Sequence, residues 1–536
     1  MEADEQLSDL SGRFVPLPFG SVEISASALN RNQLTHMKDT VPQSRDARLT
    51  ISEKDWSLLR QHLLQHDGLE RVAFLLVGRS RTGAIPEFLV HRVMPVQDDR
   101  CRRQSPVIIE PDTLTVLDNF GAFSLSSAPV FCHAHSHPFS GVGRFSGGDH
   151  AFLGGHVRSL KNYLRTAGVQ RDCLFLRIVL GKEEEGFEAE VHDLGAARVC
   201  KIRAIRIVGA TGIRYLPNGG GTAAPAPAEH LDRNISWLGE GGQYKVQRTR
   251  VAICGLGGVG AEVVKNLRGL GFRRYVLIDH DLLEATNLNR LPYRAADVGK
   301  LKVDLAASFI RDLDPEADIQ CLPNRVEDPD AQRALTESDL IISGVDSDAA
   351  RLSIQVLAAR YLKPVVDIGS GIILKSGTRS VSAMGGQVSV YVPGGPCLAC
   401  QGLNTGAIED ASLTAVRERV GYVRGTKETP ASVVTINAIM AGWASDVAMR
   451  LVTGFSASPV WLNCDLLRNN MTSMRFARRE NCPICGTDGV EGLGMEREKP
   501  LPPPVPHLDT ESGTSLAPEE PLSPFGREVA IEPISS

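Results

Sequence analysis

The chain has 536 residues, 42% of them apolar, and 58 Lys and Arg against 63 Asp and Glu give a formal charge of −5. That length exceeds one ordinary hydrophobic core, so several domains are expected, and so small a net charge gives no electrostatic reason to expect nucleic acid. No apolar run reaches the roughly 18 residues a membrane span needs, and the acidic start MEADEQLSDL is unlike a secretory signal, so the expected compartment is the cytoplasm and no membrane partner is expected.

In chain order, residues 1–47 lack sustained periodicity and read as a loosely ordered leader. From Arg48 a short strand, a helix over Ser52 to about Gln65 with Ser52 as N-cap, and alternating strands and loops to about Val208 define an α+β domain over residues 48–210. The Gly-, Ala- and Pro-rich stretch Pro217–Glu229 cannot bury a core and marks a linker over 211–230. Apolar strands VAICGL, YVLID, LIISGV and PVVDIGS alternate with helical stretches over 231–490, which predicts an α/β domain with a mainly parallel sheet. Residues 491–536 are rich in Pro, Glu and Ser and read as a disordered tail.

In the first domain, an apolar strand runs into His133, His135 and His137, with Asp149 twelve residues beyond the last histidine. Residues two apart on a strand share a face, so His135 and His137 can offer imidazole nitrogens to one ion and Asp149 a third ligand, leaving a fourth position for water. That arrangement is the catalytic one, because the metal lowers the pKa of its water toward about 7. His-Ser-His-Pro, seven residues, then Ser-x-x-Asp resembles the JAMM motif of the JAB/MPN zinc metallopeptidases. The resemblance implies that His135, His137 and Asp149 hold zinc, that Ser146 stabilises a tetrahedral oxyanion, and that an upstream glutamate moves the proton. Glu70, just before the strand that ends at Gly78, is the first choice, with Glu87 and Glu53 as lesser ones. His133 falls outside the motif and reads as structural or as a residue that supports the metal ligands from behind. A scaffold of the same fold without zinc is the alternative.

In the second domain, the strand VAIC runs into Gly255-Leu-Gly257-Gly258-Val-Gly260 and then a helix, a loop whose glycines let backbone N–H groups approach phosphate. The next strand ends in Asp279, placed to bind ribose hydroxyls. Taken alone, this suits an NAD-dependent dehydrogenase equally well. The sequel, DHDLLEATNLNR, VGKLK and GVDSDAAR, resembles the ThiF/MoeB/ubiquitin-activating adenylation domain. The resemblance implies ATP, with Gly258 and Asp279 on phosphate and ribose, and Asn287, Arg290 and Lys302 on the phosphates. Lys300 competes with Lys302, and Leu291 stands where a glutamine is common. Asp346 would hold Mg²⁺, and Arg233 would be lent to the partner protomer's site, which implies a homodimer.

Cys397-x-x-Cys400 and Cys482-x-x-Cys485 form two knuckles, the spacing of a closed four-thiolate structural zinc site. No cysteine lies between Cys400 and Cys464, where thioester-forming relatives keep a nucleophile; Ser432 and Thr435 are poor relays, and Cys464 reads as a buried strand residue. The two resemblances together imply adenylation of the C-terminal carboxylate of a small ubiquitin-like protein with an exposed terminal glycine, trimmed or deconjugated by the zinc domain, with a conjugating enzyme as a further partner. Sulfur-carrier activation for cofactor synthesis, or adenylation of a peptide, are the alternatives.

Overall fold

The structure is a computed structural model. It describes residues 46–494 apart from 81, 83–84, 170–172, 194–197, 217–228, 376–377, 379 and 404–431, so nearly all of the expected leader and residues 495–536 of the expected tail lie outside the described residues.

The N-terminal half contributes β1 Asp46–Ser52, β2 Val72–Ser80, β3 Glu87–Pro95, a hairpin of β4 Cys101–Ser105 and β5 Ile108–Pro111, then β6 Val130–Ser136, β7 Leu174–Leu180, β8 Phe187–Asp193, β9 Val199–Gly209 and β10 Gly212–Leu216. Eight of these strands run in the order β1-β3-β2-β6-β7-β8-β9-β10, and β1 also pairs with β9, so the sheet closes on itself and β10 trails from it. Both faces of β2 and β6 are covered, which is why β2 opens as a continuous apolar run, Val72–Val77, and why even the histidines His133 and His135 of β6 are buried. Leu75, Val77 and Cys132 join one buried cluster, while Phe74, Phe131, Phe120 and Leu160 join another under two helices. Ser52 caps the helix Glu53–Leu63, its hydroxyl accepting from Asp55 N at 3.0 Å.

The second half carries β11 Arg250–Cys254, β12 Arg274–Ile278, β13 Asp318–Leu322, β14 Leu340–Ser343, β15 Val365–Leu374, β16 Val381–Tyr391, β17 Trp461–Asp465 and β18 Asn470–Met474. Their order is β13-β12-β11-β14-β15-β16-β17-β18. The expected mainly parallel sheet is corrected here to a mixed one. β13 through β15 are parallel, but β15, β16, β17 and β18 pair antiparallel, because short connections rather than crossover helices join β15 to β16 and β17 to β18. Strand order reverses between β11 and β14, which opens a crevice at the carboxyl ends of those two strands. Among the described residues, no helix is long and apolar enough to cross a membrane.

Two expected boundaries differ from the structure. Residues 212–216 of the expected linker are β10, paired with β9 because Ile213 and Leu216 have a core to enter. Residues 491–494 of the expected tail form a strap between the halves. Leu493 enters the N-terminal core, while Gly492 N and Gly494 N donate to Ala359 O and Arg360 O at 2.9 and 2.8 Å in the second half. His91 Nδ1 meets Glu491 O at 2.6 Å, and Arg79 and Gly494 pair as an isolated bridge. A Cβ on Gly78 would stand 2.2 Å from Gly492 O, so only glycine lets the strap lie against β2.

Charge also crosses this interface in buried form. Glu87 takes hydrogen bonds from Arg48 (3.2 Å) and from the Thr50 hydroxyl, and lies 3.5 Å from Lys363. Arg206, fully buried, donates to Asp339 O at 2.9 Å. Burial alone would raise the Glu87 pKa, but Lys363 and Arg48 outweigh it and hold the carboxylate ionised.

Candidate functional site

Two sites emerge, one in each half. In the first, β6 delivers His135, and His137 follows it past the strand end, while Asp149 stands in the first turn of the helix Gly147–Thr166. Ser146 and Asp149 form a reciprocal capping box. Ser146 Oγ accepts from Asp149 N at 3.2 Å, and Asp149 Oδ2 accepts from Ser146 N at 2.6 Å and from its hydroxyl at 2.8 Å. Ser146 thus helps orient the Asp149 carboxylate.

Asp149 Oδ1 lies 3.0 Å from His135 Nε2, and Asp149 Oδ2 lies 3.5 Å from His137 Nε2. Neither ring nitrogen of His135 makes an aligned hydrogen bond, although the residue is buried. Two nitrogen or oxygen ligands about 2.0–2.1 Å from one tetrahedral ion stand roughly 3.3 Å apart, so the spacing and the orphaned nitrogens fit a shared zinc better than a hydrogen-bonded cluster.

Of the three glutamates expected as proton carriers, the structure brings only Glu70 to this site, with Oε1 3.7 Å from His137 Nε2. Glu87 is at the domain interface, and Glu53 accepts from Thr211. Burial lifts the Glu70 pKa to about 7, with Asp149 adding to the rise and His137 opposing it. Such a carboxyl can both take and return a proton near neutrality. His133, on the same strand face, is held neutral by burial and by His156 and His135. Sequence reasoning missed Arg177 on β7. Buried, it donates to Asp149 O (3.3 Å) and to Glu190 (2.7 Å) and stacks on Phe145 at 3.8 Å, so it fixes the turn that carries Asp149.

The second site lies at the carboxyl ends of β11, β12 and β14. Gly255 turns at φ +81° beside Gly344, and a Cβ on Gly260 would stand 1.9 Å from Gly255 O, so these positions admit no side chain. Gly257 precedes the helix Gly258–Gly269 without a side-chain cap, leaving its first N–H groups free for an anion. Asp279, at the end of β12, accepts from Leu256 N (2.6 Å) and Asp281 N (2.8 Å), which ties the ribose-binding candidate to the glycine loop.

Lys302 is buried with Nζ 2.7 Å from Asp281, whereas Lys300 is exposed and paired with Asp297. Asn287 closes the turn that begins at Glu284, its Oδ1 accepting from Glu284 N at 3.2 Å. Arg290 lies with Cδ 3.1 Å from the position of a Gly258 Cβ. Asp346 is exposed in the loop after β14, and Arg351, another residue the sequence reading missed, holds that loop by bonds to Val345 O, Ile368 O and buried Asp367. Arg233 stands exposed in the first turn of a helix that breaks at Gly239.

The four knuckle cysteines converge. Cys397 lies 3.6 Å from Cys482 and 3.9 Å from Cys400, and Cys400 lies 3.6 Å from Cys485, all sulfur to sulfur. Thiolates about 2.3 Å from a tetrahedral zinc stand roughly 3.8 Å apart, whereas a disulfide measures about 2.05 Å, so the cluster has the dimensions of a closed zinc site. Cys464 is buried on β17, where burial raises its pKa, an environment that disfavours a nucleophilic thiolate.

Residues 231–484 match the ThiF family. The "SAMP-activating enzyme E1" of Haloferax volcanii is 27% identical over 260 residues, covering 48% of this chain and 87% of that protein. The "Adenylyltransferase and sulfurtransferase UBA4" of Meyerozyma guilliermondii is 29% identical over 262 residues, 47% of this chain and 59% of that protein's length. Among solved structures, E. coli MccB with ATP is 16% identical with a TM-score of 0.39, covering 77% of this chain and 100% of that one. Residues 231–484, just under half of the chain, are thus the part similar to the ThiF family.

Proposed function

We propose that the second half adenylates a C-terminal carboxylate of a small ubiquitin-like protein, using ATP. The observation that carries this is the β11/β14 switch point, near which lie the uncapped helix N-terminus, Asp279 bound to the glycine loop, Arg290 against Gly258, and Lys302 paired with Asp281. A carboxylate oxygen attacks the α-phosphorus and pyrophosphate leaves, so negative charge collects where Arg290, Lys302 and the helix N-terminus provide positive potential. Asp346 would hold the Mg²⁺ that neutralises the phosphates. Arg233 is assigned to the partner protomer's site in a homodimer.

One relative is named as an activating enzyme and the other as an adenylyltransferase, which supports adenylation, and the sulfurtransferase name favours activation of a sulfur carrier. With no cysteine between Cys400 and Cys464, the adenylate would be handed directly to an external nucleophile. A conjugating enzyme or a sulfur donor could supply it.

A second reading concerns the N-terminal half, carried by the convergence of His135, His137 and Asp149 beside Glu70. These residues suit a JAMM zinc peptidase that trims or deconjugates the same small protein. A bound zinc there would supply an acidified water, and Glu70 would move its proton to the leaving amine.

The test is ATP–pyrophosphate exchange by the full chain with small proteins ending in Gly-Gly. Exchange should require such a protein, vanish in Asp346→Ala and persist in Cys464→Ala. Exchange driven equally by unrelated short peptides would move the assignment to peptide adenylation.

A further inference from the structure

The helix Val434–Thr453 brings Asn437 to the glycine loop from far along the chain. Its side chain is buried, with 2% exposure, and Nδ2 lies 2.2 Å from where a Cβ on Gly258 would stand, so the carboxamide packs directly on the first residue of the phosphate-facing helix. Oδ1 accepts from Ser370 Oγ at 3.0 Å, and Nδ2 donates to Ser432 Oγ at 3.2 Å. An amide nitrogen carries two hydrogens. The second has no acceptor among the described residues.

The surroundings are positive. The helix Gly258–Gly269 has no capping side chain and no acidic residue in its first turn, and Arg290 Cδ lies 3.1 Å from the same Gly258 Cβ position that Asn437 approaches. If this buried position served only to stabilise the fold, a carboxylate would do better, since it would cap the helix, meet its dipole and pair with the arginine. A neutral amide of the same shape leaves that potential uncompensated, available to an anionic ligand.

We propose that Asn437 is a nucleotide-contacting residue that donates its spare N–H to a phosphate oxygen of the bound nucleoside triphosphate, with Ser370 and Ser432 holding the amide in register. The assignment rests on the adenylation reading above.

Equilibrium binding of Mg-ATP and of adenosine to the full chain tests it, alongside apo thermal stability. Asn437→Asp keeps the shape and inverts the electrostatics. It should leave apo stability equal or higher and adenosine binding unchanged, while Mg-ATP affinity falls on the order of a hundredfold. Asn437→Ser, should the aspartate variant misfold, removes the donor and should cost about tenfold for Mg-ATP alone. Mg-ATP affinity within about threefold of wild type in both variants overturns the proposal, as does an equal loss for adenosine and Mg-ATP, which marks a structural role. Absence of Mg-ATP binding by the wild-type chain overturns the adenylation reading itself, and the Asn437 assignment with it.

Discussion

Gly78→Ala isolates the strap that joins the two halves. Gly78 has no left-handed φ, so alanine adds no backbone strain, and the whole effect comes from a Cβ placed 2.2 Å from Gly492 O and 2.4 Å from Leu493 O. Ordinary contact needs about 3.4 Å or more, so the strap must lift by about an ångström. Lifting it withdraws Leu493, worth about 2 kcal/mol of burial. It also breaks the bonds of Gly492 N to Ala359 O, Gly494 N to Arg360 O and His91 to Glu491 O, about 1 kcal/mol each. The upper bound is then about 5 kcal/mol, and partial relaxation brings the expectation to roughly 2–5 kcal/mol. Chemical denaturation should show that loss, and hydrogen exchange should show residues 487–494 losing protection together with the edge of β2. Gly154→Ala, where a Cβ meets nothing within 4 Å on an exposed helix, should be neutral or stabilising by up to about 1 kcal/mol. Unchanged exchange over 487–494 with stability within about 0.5 kcal/mol of wild type would refute the claim that the strap holds the halves together.

Elemental analysis of the purified chain should find two zinc ions; His135→Ala and Cys482→Ser should each remove one, and a wild-type chain with one or none contradicts one of the two sites. Glu70→Gln should keep zinc at wild-type levels while cleavage of Gly-ended fusions falls by two to four orders of magnitude, the range of general acid–base catalysis; loss of zinc instead would make Glu70 structural. The Glu491 carboxyl, pushed up to about 7 by burial from an ordinary 4.5, folds more readily protonated, so that contribution is full below about pH 4.5 and lost as pH rises through 7. Glu491→Gln should therefore gain on wild type between pH 5 and pH 8 by up to roughly 3 kcal/mol, and a pH-independent difference would show that the carboxyl does not titrate there.

The chemistry-bearing clusters were legible wherever ligands sit close together in sequence. His135 and His137 share a strand face by period two, Asp149 enters at a helix N-terminus, and the glycines of 255–260 can serve only where backbone must pass close to backbone. The structure separates the candidates by surroundings that spacing did not give: Lys302 is buried against Asp281 while Lys300 pairs with Asp297, and Glu70, unlike Glu87 or Glu53, lies near His137. The strap was read as tail because its composition is that of a solvated segment. Nothing local says that β2 carries a glycine opposite it.

The sequence by itself determined which residue types could bind metal or phosphate and on which element each would stand, because helix and strand periods are properties of a few consecutive residues. Tertiary structure alone decided that the first sheet closes through β1 and β9, that the second turns antiparallel after β15, and that Arg177 and Asn437 reach sites built from distant strands. Those outcomes depend on which surfaces exclude water from one another, and no window of the chain contains both surfaces.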